Sequence, residues 1–174
     1  MGKKYAVDPI YWSLLKNKDW KMYIAATDLG LCFVGSHNES LDELTNWVDV
    51  RFPGTSLIQD NEKLGPYVQE ILEYLTGKRR EFVLPMDVRG SEFQLSVWNA
   101  LKEIPYGFTK SYSDIAASIQ KPSAVRAVGA AIGANPILIT VPCHRVIGKN
   151  GSLTGYRGGL NMKTKLLELE GFSI

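Results

Sequence analysis

The sequence predicts a two-domain chain of mixed α+β and α/β class, with a small N-terminal α/β domain over residues 1–88 and a C-terminal domain over residues 89–174 that carries a helix-turn-helix. Three observations predict it. Strand-like runs around a glycine-containing turn open the first half. The segment Pro85-Met86-Asp87-Val88-Arg89-Gly90 breaks both the helical and the strand periodicity and divides the chain. Two compact helical segments then follow each other across a short proline-bearing break.

Each element has its own local reason. Lys21 to Ala26 and Leu31 to Val34 flank Thr27-Asp28-Leu29-Gly30, which reads as a β-hairpin. Ser40 and Glu43 have capping-box spacing ahead of Leu41, Leu44, Trp47 and Val48, so a helix follows. Leu64, Val68, Ile71, Leu72 and Leu75 share one helical face, and that helix ends at Gly77. Phe82-Val83-Leu84 reads as a strand. Ser91 and Gln94 form a second capping box before Phe93, Val97, Trp98 and Leu101. This helix stops near Ile104, because Pro105 disfavours helical geometry in the residue before it. A loop or short strand leads to Lys110, and helices follow over Tyr112 to Ile119 and Ser123 to Ala134.

Apolar residues at 45% and charged residues at 22% are the composition of a globular chain, which excludes a disordered segment. No stretch reaches the roughly eighteen uncharged apolar residues of a membrane span. The start Met1-Gly2-Lys3-Lys4-Tyr5 leads into polar sequence rather than a signal core, and Ala6 stands where a myristoylation signal at Gly2 prefers Ser or Thr. A cytoplasmic protein with no membrane partner is expected. Residues 1–90 carry 11 basic and 13 acidic groups and residues 91–174 carry 9 and 5, so any polyanion should be met by the second half.

Two cysteines and two histidines are too few for a closed structural zinc site, and Cys32, inside Leu31-Cys32-Phe33-Val34, reads as a buried inert thiol. The run from Ile137 to Pro142 is different: it is apolar until Cys143, His144 and Arg145 present a thiol, an imidazole and a guanidinium in succession. A thiol attacks as the thiolate, and a nearby imidazole can take its proton. On an extended strand these neighbours point to opposite faces, so Cys143 and His144 can cooperate only in a turn or through a bridging water. The helix Ala124 to Ala134, built of small residues around the single cation Arg126, suits either close packing on another helix or close approach to DNA.

Pro142-Cys143-His144-Arg145-Val146 resembles the active-site signature of the O6-alkylguanine-DNA alkyltransferases. Ser111-Tyr112, Arg126, Asn135-Pro136, Gly155-Tyr156-Arg157-Gly158-Gly159 and Leu169-Glu170-Gly171 follow the family order around it, over residues 91–171. The resemblance implies a ribonuclease-H-like N-terminal domain and a winged-helix-like alkyltransferase domain. It also implies stoichiometric, irreversible transfer of an alkyl group from O6 of guanine, and of O4 of thymine as a further substrate, to Cys143. Duplex DNA containing O6-alkylguanine is then the partner, bound in the minor groove with the damaged base flipped out.

Under the same resemblance His144 is the base, acting through water, Glu170 orients it, Tyr112 donates a proton to guanine N3, and Asn135 holds the turn before the active-site strand. Arg126 fills the space of the flipped base, with Ser111, Ala127, Gly129 and Ala130 against DNA. Val146, Tyr156, Arg157 and Lys163 form the base pocket, with Arg157 acting through its backbone. No cofactor or metal is implied, since the zinc-binding cysteine and histidine set of some relatives is missing from the first half. A monomer that can cluster on DNA is expected, associated with the nucleoid if bacterial. Three rivals share these residues, one of them a transcriptional regulator that senses its own alkylation, which requires further DNA-binding and metal-binding sequence ahead of the transferase. A damage-recognition protein without transfer requires Cys143 to be unreactive, and a cysteine hydrolase requires true turnover.

Overall fold

Lys21 to Thr27 and Gly30 to Val34 do pair as a hairpin, and in the computed structural model, which describes residues 8–173, they are the middle and one edge of a four-stranded sheet. Its strands are β1 (Ile10–Lys16), β2 (Lys21–Thr27), β3 (Gly30–Val34) and β4 (Leu57–Gln59), in the order β3-β2-β1-β4. β1–β2 and β2–β3 are antiparallel; β4 joins β1 in parallel after helix α1 (Leu41–Arg51). The N-terminal segment containing Gly2 lies outside the described residues. Side chains alternate across the sheet. Ala25, Phe33 and Ile10 meet Leu44 and Val48 of α1 on one face, while Met22, Ile24 and Leu15 meet Leu64 and Ile71 of α2 (Asn61–Leu75) on the other.

Two local expectations differ from the structure. Ser40 caps α1 through the amide of Asp42, and Glu43 turns away to accept from the amide (2.7 Å) and hydroxyl (2.5 Å) of Ser36, so the reciprocal box is not formed. Phe82-Val83-Leu84 is not a strand. The amides of Val83 and Leu84 donate to Oε1 of the buried Glu70 at 2.9 and 3.2 Å, which removes them from any ladder.

The linker then lies along β3. Leu31 N donates to Pro85 O at 3.0 Å and Asp87 N to Leu31 O at 2.8 Å. Gly30 permits this approach, because a Cβ there would stand 2.6 Å from Pro85 O.

Helix α3 (Glu92–Lys102) begins at Ser91 with the expected capping box, both bonds present. After it come the two-residue strand β5 (Lys110–Ser111), α4 (Tyr112–Ser118) and α5 (Val125–Gly133). Strand β6 (Val146–Ile147) pairs with β5 in parallel, and α6 (Leu160–Leu169) closes the domain. Trp98, 1% exposed, pins α3 to α5 by donating from Nε1 to Ala131 O at 2.8 Å. Leu31, Val34 and Ile71 of the first half share one buried cluster with Val97, Leu101, Ile137 and Leu138 of the second, so the halves are joined by a continuous core. No helix among the described residues is long and apolar enough to cross a membrane.

Candidate active site

The segment expected as the active-site strand is a series of tight turns. Val34 N donates to Pro136 O at 3.0 Å, which docks the chain on the edge of β3, and the next residues fold back. Ile139 has φ +70°, a value that a β-branched residue rarely adopts, and the 2.8 Å bond from Thr140 N to Leu138 O closes the turn around it. Cys143–Arg145 then form one turn of 3₁₀ helix. With about three residues per turn, successive side chains fan out at roughly 120° rather than alternating across a plane. A strand would have sent Cys143 and His144 to strictly opposite faces; in the turn Cys143 Sγ meets Asn135 and the His144 ring meets Glu170.

Asn135 organises the thiol side. It is fully buried; Oδ1 accepts from Ile137 N at 2.9 Å, while Nδ2 donates to Val141 O at 3.0 Å and to Cys143 Sγ at 3.2 Å. Burial pushes the Cys143 thiol up, against the Asn135 amide and the Arg157 and Lys163 cations, which favour the anion. At rest the sulfur is therefore a neutral thiol beside groups ready to receive its charge.

Glu170 organises the imidazole side. Nε2 of His144 lies 2.5 Å from Oε2; Arg145 donates from Nε to Oε1 at 2.8 Å and from Nη2 to Oε2 at 3.2 Å; Gly107 N donates to Oε1 at 3.0 Å. The Tyr74 hydroxyl, from α2 in the other half of the chain, also donates to Oε2. Burial works to raise the Glu170 carboxyl, and the hydrogen bonds from His144, Arg145 and Gly107 together outweigh it, bringing it down to about 2.

An ionised carboxylate only accepts, so Nε2 of His144 carries the proton and Nδ1 keeps its lone pair. Nδ1 has no protein partner among the described residues. Burial lowers His144, and Arg145 already balances the carboxylate charge, so the ring is a neutral base rather than an imidazolium.

The remaining expected residues have other partners. Tyr112 opens α4, its hydroxyl donating to Thr154 O at 3.0 Å, and Ser111 is the helix cap. The hydroxyl of Tyr156 is buried without a partner among the described residues, and Val146 is buried three residues after Cys143. Lys163 turns its ammonium to backbone carbonyls. It is fully buried, and its ammonium donates to Val146 O (2.6 Å), Thr154 O (3.0 Å) and Gly155 O (3.4 Å). Its three protons are spent on these three carbonyls. Burial draws it down to about 8, so it stays largely charged at neutral pH.

Arg157 does more with its side chain than expected. It donates to Asn135 O (3.0 Å), Pro136 O (3.2 Å) and Val34 O (2.6 Å) and pairs with Glu43 at 3.4 Å, tying β3 and α1 to the active-site turn. On α5, Arg126, Ala127 and Ala130 are exposed on one face, opposite buried Val128, Ala131 and Ile132, while Gly129 is half-buried, facing Tyr112. The sequence reading missed Tyr74, and it named Arg145 without a role. Tyr74 lies on the apolar face of α2 three residues after Ile71, a position that reads as core. Its partner is 96 residues away.

Comparisons with known proteins show the family. Residues 10–88 match the family model described as 6-O-methylguanine DNA methyltransferase, ribonuclease-like domain, and residues 92–172 match the DNA binding domain of the same family. An inducible methylated-DNA--protein-cysteine methyltransferase of Bacillus subtilis (strain 168) is 67% identical over 161 residues, covering 92% of this chain and 90% of its own. That of Methanosarcina acetivorans is 41% identical over 165 residues, covering 93% and 99%. The crystal structure of Mycobacterium tuberculosis OGT in complex with DNA superposes with a TM-score of 0.78 at 39% identity, covering 92% of each chain.

Proposed function

The chain belongs to the 6-O-methylguanine DNA methyltransferase family, and from that premise we propose which of its residues carry direct reversal of alkylation damage. It is a methylated-DNA--protein-cysteine methyltransferase, with DNA as its partner. The observation that carries the assignment is the two buried side-chain pairs around one 3₁₀ turn: Asn135 on the sulfur of Cys143, and Glu170 on Nε2 of His144.

The chemistry follows from these contacts. Substrate entry brings the O6-alkyl carbon to Cys143, and His144 Nδ1 takes the thiol proton through water while Glu170 holds the resulting imidazolium. The thiolate attacks the alkyl carbon in line with O6: a C–S bond forms, the C–O bond breaks, and its electron pair goes to guanine. Tyr112 supplies a proton to guanine N3, exchanging its bond to Thr154 O for one to the base, and so offsets the charge leaving with O6. The product is a thioether with no good leaving group, so each molecule acts once.

Cys143 is 3% exposed and O6 is paired inside a duplex, so transfer requires the base to rotate out of the helix. The exposed face of α5 supplies the approach: its small side chains admit the backbone to the minor groove. Arg126, with no hydrogen-bond or ion-pair partner among the described residues, takes the place of the flipped base. O4-alkylthymine presents a similar carbon to the same thiol. The protein works as a cytoplasmic monomer that clusters on DNA.

The test is stoichiometry. Protein titrated with duplex carrying a radiolabelled O6-methylguanine should take up label to one equivalent and stop; label released repeatedly as product would indicate a turning-over hydrolase, and binding without uptake a damage-recognition protein.

A further inference from the structure

We propose that Tyr74, contributed by the N-terminal domain, is a positioning residue of the transfer site that keeps His144 neutral by sharing the oxygen of Glu170 on which the imidazole rests. The proposal rests on the His144–Glu170 relay described above. It makes the first half of the chain a working part of the chemistry.

Tyr74 is fully buried, and its hydroxyl has two polar neighbours, Glu170 Oε2 and, at 3.3 Å, His144 Nε2. Because Nε2 carries a proton directed at Glu170, the phenol proton has only the carboxylate to go to. Burial and the adjacent Glu170 charge both push the Tyr74 phenol far up, so it remains a donor throughout the working range. Oε2 then accepts from His144, Tyr74 and Arg145 Nη2, and Oε1 from Arg145 Nε and Gly107 N. A carboxylate has about four lone-pair positions, so these five donors compete.

Each donor that draws on Oε2 weakens its pull on the imidazole proton. A carboxylate held by His144 alone would make the ring a resting imidazolium with no lone pair for the thiol. The charged and titratable groups facing the ring are Glu170 and Lys163 from α6 and its end, Arg145 from the 3₁₀ turn, and Tyr74 from α2. Tyr106 stands behind Tyr74, with ring centroids 6.0 Å apart. Of these, Tyr74 alone comes from the first domain, and its ring is held edge-on by Tyr106 and tilted on Phe82. Those contacts survive in Tyr74→Phe, which removes the oxygen only.

The experiment is the single-turnover methyl-transfer rate on O6-methylguanine duplex at saturating DNA, followed from about pH 5.5 to 9 for the unaltered protein, Tyr74→Phe and Glu170→Gln. His144 is titrated by NMR in the first two. Loss of the hydroxyl should move the acid limb up by about half a pH unit, which approaches about threefold in rate at the foot of that limb, with a plateau within about twofold. The imidazole should titrate higher by the same amount, with DNA affinity unchanged. A purely structural Tyr74 would scale the whole profile without moving its limb. If Glu170→Gln changes the profile and Tyr74→Phe overlays the unaltered protein in both measurements, the Tyr74 proposal alone falls. If Glu170→Gln also leaves the profile unchanged, the relay falls and takes the proposal with it.

Discussion

Asn135→Ala should destabilise the protein by about 3 kcal/mol and slow alkyl transfer, because it removes three hydrogen bonds of unequal weight. The bond from Ile137 N to Oδ1 matters most. Ile137 is fully buried, and Asn135 is its amide's acceptor, so truncation leaves an orphaned donor at a cost of about 1–3 kcal/mol. The carbonyl of Val141 still receives Cys143 N at 2.8 Å, so losing Nδ2 there costs only the net value of one bond, about 1 kcal/mol. The contact to Sγ adds little stability, but it is the nearest group favouring the thiolate.

For a chain of this size, about 3 kcal/mol corresponds to a fall of about 6–12 °C in Tm. Urea unfolding at neutral pH gives the free energy, with an unchanged slope expected, and single-turnover transfer gives the rate. A loss under about 1 kcal/mol at unchanged slope would refute the claim that this amide holds the reactive turn.

Three further outcomes test other parts of the account. Glu170 lies near 2 in the folded protein against an ordinary 4.5, so its stabilisation is complete above 4.5 and is lost as pH falls toward 2; His144, lowered by burial, adds a loss as pH falls through its ordinary 6.5. Urea midpoints measured against pH should therefore decline on acidification. Glu170→Gln should start lower at neutral pH, since it leaves Arg145 buried without its carboxylate, and be flatter below 4.5, whereas parallel curves would contradict the assignment. Arg157→Ala should cost about 2–3 kcal/mol by freeing β3 from the active-site turn, and a change within experimental error would show that the backbone contacts suffice. Ala130→Leu, on the exposed face of α5, should leave Tm unchanged and weaken duplex binding at least about tenfold while sparing reaction with a free O6-alkylguanine base; equal loss on both substrates would remove α5 from the DNA interface.

Most features set by near neighbours were legible in the sequence, the Ser40–Glu43 box being lost to Ser36. Ser91 and Gln94 are three residues apart, and their capping box is present; the hairpin around Asp28 and the α4–α5 pair likewise follow from local pattern. Distant partners were not legible. Phe82 to Leu84 has strand composition, yet the carboxylate of Glu70, 13 residues before Val83, takes its amides. Strand β1 pairs in parallel with a β4 of three residues, too short to carry a period. At the site, family order identified Cys143, His144, Asn135 and Glu170, which the fold brings together. The 3₁₀ turn that carries the first two follows the unusual backbone of Ile139, which its side chain does not advertise. Lys163 and Arg157 have the chemistry of base-binding groups, and only the fold shows that their side chains donate to backbone carbonyls.

The central claim, that Cys143 itself accepts the alkyl group, is tested most directly by intact-mass spectrometry after incubation with excess duplex containing O6-methylguanine, followed by peptide mapping. The account predicts one added methyl group per molecule, located on the peptide holding Cys143 and absent from Cys143→Ala. A methyl group on another residue, or an unchanged mass after complete repair of the DNA, would contradict it.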